Sequence, residues 1–139
     1  MAVKVYAKEI TFGTTKNREL VNITEYVQKA LAESKIKSGM LLVFAPHATG
    51  AIVVDEDESG LKQDILEALG RLIPEQGNYN HNRIDDNAPA HLKSTLLGSS
   101  KVIPVSAGKI TLGTWQSIFF LESDGPRSAR KVSITIIGE

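Results

Sequence analysis

Two short, unbroken apolar runs, Met40–Ala45 and Ala51–Val54, are separated by only Pro46-His47-Ala48-Thr49-Gly50. Both are too short for an ordinary helix and rich in Val, Leu and Ile, so they read as buried strands that need cover from other elements. The surrounding chain supplies that cover in two forms. Val3 to Phe12 is β-branched and aromatic and reads as a strand. Gly13-Thr14-Thr15-Lys16-Asn17 is a turn, after which Arg18 to Val21 is expected to pair back as a hairpin. Asn22-Ile23-Thr24-Glu25 has the N-cap and third-position Glu of a capping box. The face shared by Ile23, Val27, Ala30, Leu31 and Ser34 then predicts a helix closed by Ser38-Gly39. A second helix is expected from Glu58 to Leu72, with Leu61, Ile65, Leu69 and Leu72 as its apolar stripe and Pro74 as its stop.

The polar stretch Glu75–Asn87 is long for a loop in a compact domain; such loops are usually functional or disordered, and Tyr79, Ile84 and the flanking asparagines point to order. Pro89 opens a third, short helix that Gly98 ends. Beyond it the pattern is β-rich. Lys101 to Val105 reads as a strand, Ser106-Ala107-Gly108-Lys109 as a turn, Ile110 to Leu121 as one long strand, and Lys131 to Ile136 as a clean polar–apolar alternation. Consecutive strands at the end, with helices mixed in earlier, predict an α+β fold rather than a doubly wound parallel sheet. A chain of 139 residues, 42% of them hydrophobic, is enough for a single domain over 1–139 with a real core.

Composition excludes several function classes. Sixteen basic and sixteen acidic residues cancel, so nothing favours a nucleic-acid or anionic-membrane partner. The absence of cysteine removes disulfides, thiolate metal sites and thiol nucleophiles. Met1 to Lys8 lacks the apolar core of a signal peptide, and no apolar run approaches a membrane span, so a cytoplasmic location is expected.

What remains for chemistry is concentrated. His47, His81 and His91 are the only histidines, and each sits where an element begins or ends. Three imidazoles could hold Zn²⁺ at about 2.0–2.1 Å and leave one position for water, with Asp85, Asp86 or Asn87 orienting a ligand. Their spacing matches no short metal motif, so from spacing alone surface or capping histidines are the favoured reading. Asp85-Asp86 beside His91 could serve acid–base work or simply cap the third helix. Thr111, Gly113, Thr114, Trp115 and Gln116 put polar groups on a strand whose Gly113 suggests a bulge; the stretch could line a pocket, or place Trp115 in the core or at a subunit contact. Gly98-Ser99-Ser100-Lys101 and Ser128-Ala129-Arg130-Lys131 could bind an anion or be solvated turns; no nucleotide loop of standard form is present.

At these same positions the chain resembles a known family. His47-Ala48-Thr49-Gly50-Ala51 is similar to its strand-end histidine motif, and Pro74-Glu75 through Gly77-Asn78-Tyr79-Asn80-His81 to its central loop. Asp85-Asp86-Asn87-Ala88-Pro89-Ala90-His91 and Leu112-Gly113-Thr114-Trp115-Gln116 follow, then Arg130-Lys131 and Gly138-Glu139. The order holds over essentially the whole chain. This is the YjbQ-like family, also named the secondary thiamine-phosphate synthase enzymes. Two places depart from its pattern: Asp55-Glu56-Asp57 stands where many members have an N-E-N-like string, and the Glu122–Ala129 loop is compact.

The resemblance implies an α+β domain with a β-sandwich-like core of mixed or antiparallel strands and about three helices, assembled as a homotrimer. It implies that His47, His81 and His91 converge on a divalent metal ion, with Asp86, Gln116 and Arg130 near it. It implies action on a phosphorylated small molecule, the named reaction joining a pyrimidine methyl diphosphate to a thiazole phosphate. On that reading His91 or His81 binds the metal or shuttles protons, Asp86 orients a histidine and Arg130 holds phosphate. Imidazole donors suit a zinc-like ion better than Mg²⁺, which prefers oxygen. The alternatives are a metal-dependent hydrolase, or a trimeric metal- or anion-binding protein without catalysis.

Overall fold

A computed structural model describes residues 2–139. The order of elements is β1 (Lys4–Phe12), β2 (Glu19–Asn22), α1 (Thr24–Ser34), β3 (Gly39–Phe44), β4 (Gly50–Glu56), α2 (Ser59–Leu72), a 3₁₀ turn (Asn80–Arg83), α3 (Ala88–Leu97), β5 (Ser100–Ser106), β6 (Lys109–Ile110), β7 (Gln116–Glu122) and β8 (Arg130–Gly138). The strands form a five-stranded sheet, β1-β8-β3-β5-β6, and a three-stranded sheet, β2-β7-β4. Every pairing is antiparallel. The expected α+β architecture with a β-sandwich-like core and three α-helices is what the structure has.

The alternation of each strand explains the layers. Ile10, Phe12, Leu41, Val43, Ile103, Val105, Val132, Ile134 and Ile136 point from the larger sheet into a core that Ile52, Ile118 and Phe120 enter from the smaller one. Val27, Ala30 and Leu31 of α1, with Ile23 just before it, close that core from one side. The opposite face of the smaller sheet, Ala51, Phe119 and Leu121, is covered by Leu69 of α2 with Ile65 and Leu66 beside it. β7 is therefore apolar on both faces because it is the middle strand of a middle layer. Gly50 is required by this packing: a Cβ there would collide with the Phe120 ring.

Local chemistry departs from the sequence expectation in four places. β2 does not pair back on β1; it joins β7, while β1 pairs along its whole length with β8. The capping box does not form: Asn22 Oδ1 accepts the N–H and hydroxyl of Thr24, at 3.0 and 2.6 Å, and α1 ends at Ser34 with Lys35 left-handed, four residues before Gly39 opens β3. The expected strand Ile110–Leu121 is two strands in different sheets. Gly113 lies in the break, where its N–H donates to Gln116 Oε1 at 2.7 Å, and Trp115 is 73% exposed rather than in the core. Leu72, expected on the buried stripe of α2, lies in water. Elsewhere the turn chemistry holds. Glu58 caps α2 by accepting the Gly60 and Leu61 N–H groups, and Ala107-Gly108 takes two consecutive left-handed residues to turn β5 into β6.

Candidate functional site

The loop that carries His81 is ordered by its own polar groups. Tyr79 donates its hydroxyl to the Pro74 carbonyl at 2.5 Å, and Asn82 Oδ1 accepts the Ala88 N–H at 3.1 Å. The buried Lys93 Nζ, whose residue is 2% exposed, meets Glu75 Oε1 at 2.6 Å, and Arg18 meets the same oxygen at 2.9 Å. Burial pushes the Glu75 carboxyl up, and the two cations outweigh it, leaving it below its ordinary value. These contacts fix both ends of the loop against α3 and the segment that leads into β2.

The result is a histidine pair. The rings of His81, in the 3₁₀ turn, and His91, in the first turn of α3, lie 4.6 Å apart centre to centre at 71°. They face a cavity of about 320 Å³ lined with Tyr79, Asn80, Ala88 and Leu92. His81 Nε2 is 3.1 Å from Asn87 Oδ1, and Asn87 Nδ2 donates to Asp124 Oδ2 at 2.8 Å. Asp86, one residue earlier, is exposed; among the described residues its carboxylate hydrogen-bonds neither histidine. Asp85 accepts the Asp86 N–H at 2.8 Å, which, with both imidazoles nearby, lowers its pKa.

A second polar group lies inside the sandwich. Glu122, with no exposed surface, takes Arg130 Nε at 2.9 Å and also Nη2, the Thr14 hydroxyl at 2.8 Å, and the Ser123 and Asp124 N–H groups at 3.0 Å. Burial raises the Glu122 pKa, but Arg130, the Asp124 amide and Thr14 together hold it below the ordinary carboxylate value. Arg130 also gives Nη2 to Thr49 Oγ1 at 3.1 Å and lies 5.4 Å over the Phe120 ring. Its Nη1 has no internal hydrogen bond; since no buried side-chain polar atom among the described residues lacks a partner, Nη1 reaches solvent.

His47 stands just past β3 at the start of β8. Its Nε2 lies 3.0 Å from the Lys131 nitrogen and 3.1 Å from the Lys131 oxygen. In one tautomer it accepts the N–H. In the other Nε2–H donates to the carbonyl and Nδ1 keeps a lone pair. Burial and then the Arg130 guanidinium lower its pKa, which favours the neutral ring.

A continuous polar path joins the two groups, running from His81 through Asn87, Asp124, Glu122 and Arg130 to Thr49, two residues from His47. The structure thus brings His81 and His91 together and sets His47 and Arg130 at the far end of the same network. Among the described residues, no three His, Asp or Glu side chains are grouped to hold one metal ion. Gln116 pairs with Glu56 at one end of β7, and Glu122 pairs with Gly50 at the other, about 20 Å away at the usual rise per residue, so Gln116 is remote from this network within one chain. Sequence reasoning offered Asn87 as a residue that orients a histidine, and missed Asp124 and Glu122 behind it. An acid ending the apolar run Ile118-Phe119-Phe120-Leu121 was the available signal for Glu122, because a buried carboxylate demands a cation.

Fold and site together define an antiparallel α+β sandwich that displays a histidine pair over a small cavity. The chain belongs to the UPF0047 protein YjbQ-like family, whose model matches residues 8–139. A UPF0047 protein of Archaeoglobus fulgidus is 48% identical over 124 residues, covering 89% of this chain and 96% of its own. One from Methanothermobacter thermautotrophicus is 44% identical over 137 residues, covering 99% and 95%. The solved structure of a YbjQ-like protein of unknown function from Sulfolobus solfataricus superposes with a TM-score of 0.98 at 46% identity, over 99% of this chain and all of that one.

Proposed function

We propose that this protein is a metal-dependent enzyme acting on a phosphorylated small molecule, working as a homotrimer, with His81, His91 and His47 as the metal ligands. The observation that carries the reading is the His81–His91 pair. Two imidazoles on one tetrahedral ion, each nitrogen about 2.0–2.1 Å from it, put their ring centres about 5 Å apart. The observed 4.6 Å fits that distance. His81 Nε2 faces an amide oxygen, the outer contact that metal-bound histidines use to aim the other nitrogen at the ion. In the tautomer that donates from Nε2, His47 makes the equivalent contact to the Lys131 carbonyl; in the other it accepts the Lys131 N–H. Donors of this kind suit a zinc-like ion over magnesium.

A bound divalent cation would supply charge neutralisation for a phosphate group. The chain's own residues do the rest. Tyr79, Ala88 and Leu92 give the cavity apolar walls, and Arg130 Nη1 offers a cation to phosphate at the other end of the network. Formation of thiamine phosphate with release of diphosphate is one reaction of this class; hydrolysis of a phosphate ester is another, and the imidazole ligand set favours the second. Homotrimer formation is supported by the outer face of the five-stranded sheet. Its registers align Val5, Ile137, Met40 and Pro104 in one row and Ala7, Thr135, Leu42 and Val102 in the next, an apolar surface of the kind that marks subunit contacts.

The test is metal content and affinity of the untagged protein against His47→Ala, His81→Ala and His91→Ala. Stoichiometric zinc-like metal lost in each variant supports one shared site; a wild type that takes up no divalent metal sinks the reading. Mixing His47→Ala with His81→Ala subunits separates the two ways His47 can reach the pair. Recovery of binding means that it comes from a neighbouring copy; no recovery means that it swings in from its own chain.

A further inference from the structure

Asn87 stands at the N-cap of α3 yet does not cap it with its side chain. An N-cap Asn ordinarily turns Oδ1 onto the second or third helical N–H. Here the Ala88 N–H goes to Asn82 Oδ1, and the Ala90 and His91 N–H groups go to the Asn87 backbone carbonyl at 3.1 and 3.3 Å. The Asn87 amide is free for another task, and it bridges His81 Nε2 and Asp124 Oδ2.

The direction of this bridge follows from what each group can do. An ionised carboxylate only accepts, so the Asn87 nitrogen must face Asp124. The Asn87 oxygen must then face His81. An amide oxygen only accepts, so His81 Nε2 must donate. Asp124 is held from three sides: Arg127 Nη2 meets Oδ2 at 2.7 Å, Arg127 Nε donates to its carbonyl at 2.8 Å, and its N–H donates to Glu122 at 3.0 Å. It can neither rotate away nor turn round.

We propose that Asn87 and Asp124 are the positioning residues of the histidine site: together they lock His81 with its proton on Nε2 and its lone pair on Nδ1, beside His91. The lock rests on the reading of His81 as a ligand only for its purpose. The tautomer itself is a property of the metal-free protein. Neither residue touches the cavity, and Asp124 acts on His81 solely through Asn87.

The experiment is two-bond ¹H–¹⁵N correlation NMR of protein labelled at histidine nitrogen, with chelator present, at about pH 8, above the ordinary imidazole range. Wild type should show His81 protonated at Nε2. Asp124→Asn can donate as well as accept, so Asn87 is released to flip and the Nδ1–H form of His81 should appear. Combining Asn87→Asp with Asp124→Asn restores a group that accepts from both neighbours, and His81 should return to Nε2–H. This rescue is one that a purely structural role would not give. Zinc titration of the same samples should show about 10- to 100-fold weaker binding for Asp124→Asn and recovery in the double variant. A wild-type His81 protonated at Nδ1, or a tautomer indifferent to Asp124→Asn in folded protein, overturns the proposal. A lock that behaves as stated in a wild type that binds no zinc supports the proposal and overturns the metal reading alone.

Discussion

Arg130 meets Glu122 through both Nε and Nη2 in the interior of the sandwich, where the arginine is 4% exposed and the glutamate not at all. The pair ties the first residue of β8 in one sheet to the last residue of β7 in the other. Removing one partner strands the other charge in the core, so Glu122→Ala should cost about 3–5 kcal/mol in urea unfolding. Replacing both, as Glu122→Leu with Arg130→Met, should recover only part of that loss, because the Thr14 hydroxyl and the Ser123 and Asp124 N–H groups still lose their acceptor. A single variant as stable as wild type would show that water already reaches the pair.

His47 predicts a pH dependence. Its folded pKa lies below the ordinary imidazole value, because of burial first and Arg130 second. The unfolded chain therefore binds the proton more readily, and the stability linked to His47 is complete above about pH 6.5 and lost as pH falls below it. Melting temperatures measured from pH 8 to pH 5 should fall in wild type and fall less in His47→Gln. Glu122 follows the same sign at lower pH, its contribution disappearing below about pH 4.3.

Lys93 predicts a link between packing and the site. It is buried two residues after His91, and Glu75, its partner, begins the histidine loop. Lys93→Ala should destabilise by about 1–3 kcal/mol and speed amide exchange across residues 76–87. Unchanged exchange there would mean that Tyr79 and Asn82 hold the loop unaided.

The aligned apolar rows on the larger sheet predict assembly. Leu42→Glu, on the outer face of the central β3, should leave the fold intact by circular dichroism and reduce the mass seen by sedimentation to that of one chain. A wild type that already sediments as one chain would remove the homotrimer.

The elements were legible in the sequence wherever a face had a period. β8 alternates, α1 and α2 carry stripes, and the position of the loop between Pro74 and Pro89 could be read directly. Partners were not legible. β1 and β8 match residue for residue across almost the whole chain, and nothing near Gly13 distinguishes that pairing from a local hairpin with β2. Ile110–Leu121 carries one apolar pattern but divides between two sheets, because Gly113 and the Gln116 side chain make a turn that periodicity does not register. At the site, residue types drew attention to three histidines. The geometry singles out two of them, and of Asp85, Asp86 and Asn87, each expected as an orienting residue, it is Asn87 whose side chain meets a histidine.

The placing of β8 between β1 and β3 has a consequence for how the protein is made. Among the described residues β1 precedes the other strands and pairs in its sheet with β8 alone, the strand that follows all the others. While the rest of the chain emerges, β1 and one edge of β3 stay open, with Val5 and Leu42 on them. Such late, long-range pairing slows folding and leaves strand edges open to other chains. A ribosome pausing before β8 would release two unfinished edges, a state for which a cell holds chaperones ready.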